Sequence, residues 1–86
     1  MWLLFFMEKS HIYRKIVGDN IRYFRLKKEF SQEKLAVRSE LTSEYISRVE
    51  RAVQNISVDS LVRIANALKT EPYLFLVPRK ERTAGK

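Results

Sequence analysis

Cysteine is absent from the 86-residue chain, which excludes a disulfide framework and a cysteine-ligated zinc site. Histidine occurs once, as His11, near the amino terminus, so no second histidine is present to complete a metal or catalytic set. The sequence also contains no glycine-rich phosphate loop and no close pair of carboxylates in an apolar setting. We therefore expect a protein that is not an enzyme and that uses no metal, cofactor or small-molecule ligand.

Glycine and proline are scarce, with two of each in the chain. No segment alternates apolar and polar residues long enough to predict a strand, whereas apolar spacings of three and four residues recur. The length allows a single domain, and so short a chain gains stability from dimerisation. The sequence predicts an all-α fold.

Basic residues outnumber acidic ones by 17 to 10, which gives a net charge of +7 and an isoelectric point near 10.0. A balance of this kind favours a polyanionic partner, either nucleic acid or an anionic membrane surface. Charge alone does not choose between them, and a merely soluble surface is the simpler alternative.

An apolar run, MWLLFF, occupies residues 1–6. It is shorter than the roughly 20 apolar residues of a transmembrane helix, and it lacks the charged start and small-residue cleavage site of a signal peptide. Our preferred interpretation is that Met7 is the true start, and the alternative is an arm that packs on the domain or on a dimer partner. We divide the chain into an apolar extension (1–11), a folded domain (12–78) and a disordered basic tail (79–86).

Five helices are predicted within the domain. The first covers residues 12–28, where apolar side chains form one stripe. Serine or threonine is placed to cap each later helix. These helices are Gln32–Arg38 after Ser31, Ser43–Glu50 after Thr42, a fourth after Ser57, and a short last one that is capped by Thr70, has Pro72 near its start and is stopped by Pro78.

The second and third predicted helices are short and are joined by a tight turn, which is typical of a helix-turn-helix. In such a motif the second helix enters the major groove and its amino-terminal side chains meet base edges. The amino terminus of the first helix can bind a phosphate through its free N–H groups.

Four segments, in this order and at these spacings, resemble the lambda/434-repressor and Cro family of XRE type over about residues 13–77. They are VGDNIRYFR (17–25), SQEKLA (31–36), YISRVER (45–51) and LVRIANAL (61–68). The resemblance implies a cytoplasmic, sequence-specific regulator that binds a palindromic operator in double-stranded DNA as a homodimer. Asn55-Ile56-Ser57 is most similar to the controller proteins of restriction–modification systems, although small phage repressors and antitoxins share nearly the same pattern.

The family often has glycine at three turns where this chain has Glu29, Glu40 and Ala52. A residue other than glycine in a left-handed turn costs roughly 1 kcal/mol. We therefore expect strain at these turns, and most of all a remodelled turn at Glu40.

The resemblance also implies roles for particular residues. The predicted DNA contacts have simpler alternatives, which are helix capping for Ser31, core packing for Tyr45 and a solvated surface position for the others. Arg25 and Glu50 are expected to form a partly buried ion pair that stabilises the fold. The predicted base contacts are Ser43, Glu44, Ser47 and Arg48, and the predicted phosphate contacts are Ser31, Gln32, Tyr45, Arg51, Gln54 and Asn55.

The apolar residues near the end of the domain exceed what one short helix can bury, so we predict a homodimer interface there. The predicted interface consists of Val58, Val62, Leu68, Tyr73, Leu74, Phe75, Leu76 and Val77. A hypothesis of a different class is a membrane-surface or protein-interaction module built from MWLLFF and the basic face of the first helix. Deleting residues 1–6 distinguishes this hypothesis from that of a DNA-binding regulator. Membrane binding should be lost, whereas DNA binding should survive.

Overall fold

The computed structural model describes residues 2–79, a range that contains four α-helices followed by one 3₁₀ helix. The helices are α1 (Trp2–Lys27), α2 (Gln32–Ser39), α3 (Ser43–Glu50) and α4 (Val58–Leu68), and the 3₁₀ helix is Pro72–Leu76. No strand occurs in this range. Of the predicted basic tail, only Arg79 falls within the described residues.

The prediction of five α-helices is wrong at its last member. The segment after α4 is a 3₁₀ helix, with hydrogen bonds from the Leu74 amide to the Glu71 carbonyl (3.1 Å) and from the Val77 amide to the Leu74 carbonyl (3.4 Å). Its N-cap is Glu71, without a side-chain bond, and not Thr70. Five residues between Pro72, which has no N–H, and Pro78 leave no room for a regular α-helix to propagate.

The three predicted caps of the other helices are present. Ser31, Thr42 and Ser57 each accept a hydrogen bond from the amide three residues later, at 3.0 to 3.1 Å. Each bond satisfies an amide that has no partner inside its helix, so the starts of α2, α3 and α4 are set by local sequence.

Helix α1 begins at Trp2, ten residues before the predicted start. The preceding residues contain no proline or glycine that would stop a helix running back from Ile12. All six apolar side chains from Trp2 to Met7 are more than half exposed, and the Trp2 and Phe6 rings stack on each other at 6.0 Å. No helix among residues 2–79 is long and apolar enough to cross a membrane.

The core lies where all five helical segments meet. Its fully buried large apolar side chains come one from each segment: Ile21, Leu35, Ile46, Ile64 and Phe75. The 3₁₀ helix packs on α1 through the Phe75 ring, which meets the edge of Phe24 at 5.8 Å between centroids. The carboxyl-terminal segment is therefore part of the same core as the helix-turn-helix.

Each of the four α-helices is followed by a residue other than glycine in the left-handed region: Glu29, Glu40, Ala52 and Lys69, with φ of 55° to 65°. The next amide donates to the carbonyl five residues back in every case, as from Leu41 to Ala36 at 2.9 Å. This is the bond pattern of a Schellman cap. The turn at Glu40 has this bond pattern too. The turn between α2 and α3 is therefore strained by a left-handed residue other than glycine, but it is not remodelled.

Candidate nucleic-acid interface

Helix α3 has one face in the core and one outside. Ile46 and Val49 are buried, whereas Glu44 and Arg48 are exposed. Ser43 and Ser47, one residue before each, are half-buried. The spacing of 43, 44, 47 and 48 places the four predicted base-contacting residues together on the outer side of one short helix.

Two of these side chains are bound to each other. Arg48 Nη2 donates to Glu44 Oε2 at 3.1 Å across one helical turn, and the two side chains remain 49% and 73% exposed. The next basic residue, Arg51, donates from Nε to the Ser47 hydroxyl at 3.3 Å. The outer side of α3 therefore carries one guanidinium, one carboxylate and two serine hydroxyls, which can each donate and accept.

The carboxylate at the end of α3 points inward. Glu50 accepts from Arg25 at two points, Nε–Oε2 at 2.6 Å and Nη2–Oε1 at 3.0 Å, and both side chains are almost fully buried. Arg25 Nη1 also donates to the Phe30 carbonyl at 2.9 Å. Such two-point geometry fixes the relative orientation of α1 and α3.

Gln32, the first residue of α2, belongs to the same network. Its amide nitrogen donates to Glu50 Oε1 at 3.0 Å. That nitrogen carries two hydrogens, so the bond leaves a second donor for a phosphate at the start of α2. The bond to Glu50 was not predicted. The hydroxyl oxygen of Ser31 accepts the capping hydrogen bond from the Lys34 amide.

Of the other predicted phosphate contacts, Tyr45 lies in the first turn of α3, and Arg51, Gln54 and Asn55 follow its last residue. Tyr45 is half-buried against the core, Arg51 and Asn55 are exposed, and Gln54 donates to the Asn55 carbonyl at 3.4 Å.

Gly18 and Asn20 have structural roles that the sequence analysis did not assign. A Cβ on Gly18 would clash with the Val49 carbonyl oxygen and lie 3.1 Å from that of Glu50, so α1 touches the backbone of α3 there. Asn20 is buried and its amide nitrogen donates to the carbonyls of Leu74, Phe75 and Val77 at 2.8 to 3.3 Å. The sequence feature that could have indicated the role of Asn20 is its place within the apolar stripe of the first predicted helix.

The predicted dimer interface divides into two sets. Leu68 and Phe75 are buried in the core of the domain at 2% and 0% exposure, so including them was wrong. Both face inward because the 3₁₀ helix folds back over α4 and α1. Exposed apolar side chains remain at Val58, Val62, Tyr73 and Leu76, with Leu74 and Val77 half-buried.

Comparison with known proteins identifies the motif. A family model described as helix-turn-helix matches residues 21–75. A hypothetical transcription factor from Neisseria meningitidis serogroup B is 39% identical over 69 residues, 80% of this chain and 65% of its own length. Control protein C.BamHI from Bacillus amyloliquefaciens is 42% identical over 60 residues, 69% of this chain and 74% of its own.

Two solved structures agree with the fold. The crystal structure of the hypothetical transcription factor from Neisseria superposes with a TM-score of 0.82 at 36% identity, covering 86% of this chain and 85% of that one. The restriction-modification controller protein C.AhdI from Aeromonas hydrophila gives 0.70 at 35% identity, over 72% and 94%. These names describe regulators rather than enzymes. The chain thus belongs to the helix-turn-helix family of XRE-type DNA-binding transcription regulators.

Proposed function

We propose that the protein acts in the cytoplasm as a homodimer on a palindromic operator and serves as the controller of a restriction–modification system. The observation that carries the proposal is the fixed presentation of Ser43, Glu44, Ser47 and Arg48 on the outer side of α3. The inner side of that helix is anchored by Glu50 to both α1 and α2. The resemblance to control proteins such as C.BamHI supports the controller role.

Arg48 is the side chain best suited to guanine, because its guanidinium can donate to O6 and N7 together. The second amide hydrogen of Gln32, with the free N–H groups at the start of α2, is suited to a phosphate. The net charge of +7 adds sequence-independent attraction to the duplex.

The exposed side chains of Val58, Val62, Tyr73 and Leu76, which we call the carboxyl-terminal apolar surface, support dimerisation. A two-fold pairing across this surface would carry two copies of α3. They would enter successive major grooves about 34 Å apart, which requires a palindromic site. A monomeric mass at micromolar concentration, with and without operator DNA, would contradict the dimer.

In vitro selection of bound duplexes from random sequence tests the function. We expect a palindromic consensus, and a restriction enzyme gene next to the gene for this protein. Arg48→Ala should change base preference at one position per half-site by about 1–3 kcal/mol. Gln32→Ala should weaken all duplexes alike, since phosphates carry no base identity. Uniform losses for both variants would contradict the placement of α3.

A further inference from the structure

We propose that Glu44 determines operator specificity as the partner of Arg48, by pairing with the guanidinium in the free protein and favouring DNA sites that offer cytosine to the carboxylate. This inference rests on the proposed function, because it requires α3 to lie in the major groove. It makes Glu44 and Arg48 a single recognition unit rather than two separate contacts.

The geometry of the pair is the first argument. Arg48 Nη2 lies 3.1 Å from Glu44 Oε2, and both groups are on the outer side of α3, at 49% and 73% exposure. An arginine next to DNA without such a partner would bind any phosphate within reach. Glu44 competes with the phosphates for the same guanidinium, so it suppresses binding that does not depend on sequence.

The chemistry of the carboxylate is the second argument. A carboxylate only accepts hydrogen bonds, and the phosphates around the groove repel it. When α3 enters the groove, Glu44 loses water and needs a donor on a base edge. Cytosine N4 provides one, while Arg48 finds O6 and N7 on guanine. One carboxylate oxygen can stay with Arg48 while the other accepts from cytosine, so the two contacts favour each other.

The chain offers a matched control. Asp19 forms an exposed pair with Lys15 four residues earlier, at 3.6 Å, on α1 rather than α3. Asp19→Asn and Glu44→Gln each remove one negative charge from an exposed helical ion pair. A difference in DNA affinity between the two variants is therefore due to the position of the lost charge and not to the loss of a charge as such.

The experiment measures the affinity of five proteins for the selected operator and for a scrambled duplex of equal length and composition, across a KCl series. The proteins are wild type, Glu44→Gln, Arg48→Ala and the double variant, with Asp19→Asn as control. We expect Glu44→Gln to bind the scrambled duplex more tightly and to lower the ratio of operator to scrambled affinity about tenfold. Asp19→Asn should leave that ratio unchanged. In the Arg48→Ala background, Glu44→Gln should change the ratio much less.

Three results overturn the inference. One is a ratio for Glu44→Gln within about twofold of wild type, a second is an equal change for Asp19→Asn, and the third is full additivity with Arg48→Ala. If wild type selects a sequence and any of these holds, the pair mechanism fails while the proposed function stands. If wild type selects no sequence, both fail. An unchanged melting temperature for Glu44→Gln shows that the effect is not loss of fold.

Discussion

Arg25 and Glu50 hold helices α1 and α3 together through two hydrogen bonds, at 2.6 and 3.0 Å, with their side chains only 7% and 4% exposed. Removing one member of such a buried pair leaves the other charge without compensation. Glu50 also accepts from Gln32, so its carboxylate joins three helices.

Glu50→Ala is therefore expected to destabilise the fold by about 3–5 kcal/mol, enough to lower the melting temperature by roughly 10 °C or more. It should not tighten DNA binding, although it removes a negative charge from a DNA-binding protein. Thermal unfolding and operator affinity measured together test this. Asp19→Ala, in an exposed pair, is the control and should change stability by less than about 1 kcal/mol. An unchanged melting temperature with tighter binding would refute a structural role.

Gly18→Ala tests the contact between α1 and α3. Alanine in an exposed helix interior stabilises by roughly 1 kcal/mol relative to glycine, whereas an added Cβ at Gly18 meets the backbone carbonyls of Val49 and Glu50. We expect a net loss of about 1–3 kcal/mol, because backbone cannot move aside as a side chain can. Chemical denaturation measures the sign. Arg22→Ala, at an exposed position of the same helix, should be nearly neutral, and a stabilised Gly18→Ala would contradict the close approach.

Asn20→Asp tests the attachment of the 3₁₀ helix. The substitution keeps the shape but replaces an amide nitrogen, which donates to three carbonyls, with an acceptor facing them. We expect a loss of at least about 1–3 kcal/mol. Hydrogen exchange should rise across residues 73–77 more than in α2. Equal exchange in both segments would mean that Asn20 does not hold the 3₁₀ helix specifically. Asn66→Asp, at an exposed position in α4, is the control.

Ala52→Gly tests the strain at the end of α3. Ala52 has φ of 65°, which glycine adopts without the Cβ penalty, so the variant should gain roughly 1 kcal/mol. Ala67→Gly makes the same chemical change inside α4 and should lose about 1 kcal/mol. Opposite signs in thermal unfolding would confirm that backbone conformation is the cause, and a loss in both variants would contradict it.

Deleting residues 1–6 tests the apolar extension. The side chains of Trp2 to Phe6 are exposed on α1 and none contributes to the core, so stability and operator affinity should stay within about 0.5 kcal/mol of wild type. Flotation with anionic vesicles distinguishes the membrane hypothesis. If the full chain floats and the truncated chain does not, the extension binds membranes; a fall in operator affinity on truncation would contradict the prediction that DNA binding does not need it.

The helix-turn-helix was predictable because its signals are local. Ser31, Thr42 and Ser57 mark the helix starts, and the apolar spacing within each helix identifies its inner side. Glu29, Glu40 and Ala52 were placed at left-handed positions by resemblance alone, and the backbone adopts that conformation at all three. The boundaries that failed, the start of α1 and the form of the last segment, are those where no capping side chain sets the end.

Long-range contacts account for what the sequence did not reveal. An apolar side chain such as Leu68 or Phe75 suits a dimer interface as well as a core. Only the packing of the 3₁₀ helix over α1 and α4 decides which of the two places it occupies. The bonds from Asn20 to the 3₁₀ helix and from Gln32 to Glu50 join residues at least 18 positions apart. No spacing rule along the chain predicts such pairs.

The division of α3 into an anchored side and an outer side has a consequence for how new specificities arise. Ile46, Val49 and Glu50 fix the helix, whereas the side-chain hydrogen bonds of Glu44, Ser47 and Arg48 stay within α3 and the residue that follows it. If the proposed function is right, substitutions at 43, 44, 47 and 48 should therefore change base preference while they leave the pose of the helix intact. A library randomised at these positions should consist largely of folded proteins, so operator preference can diversify separately from the stability of the domain.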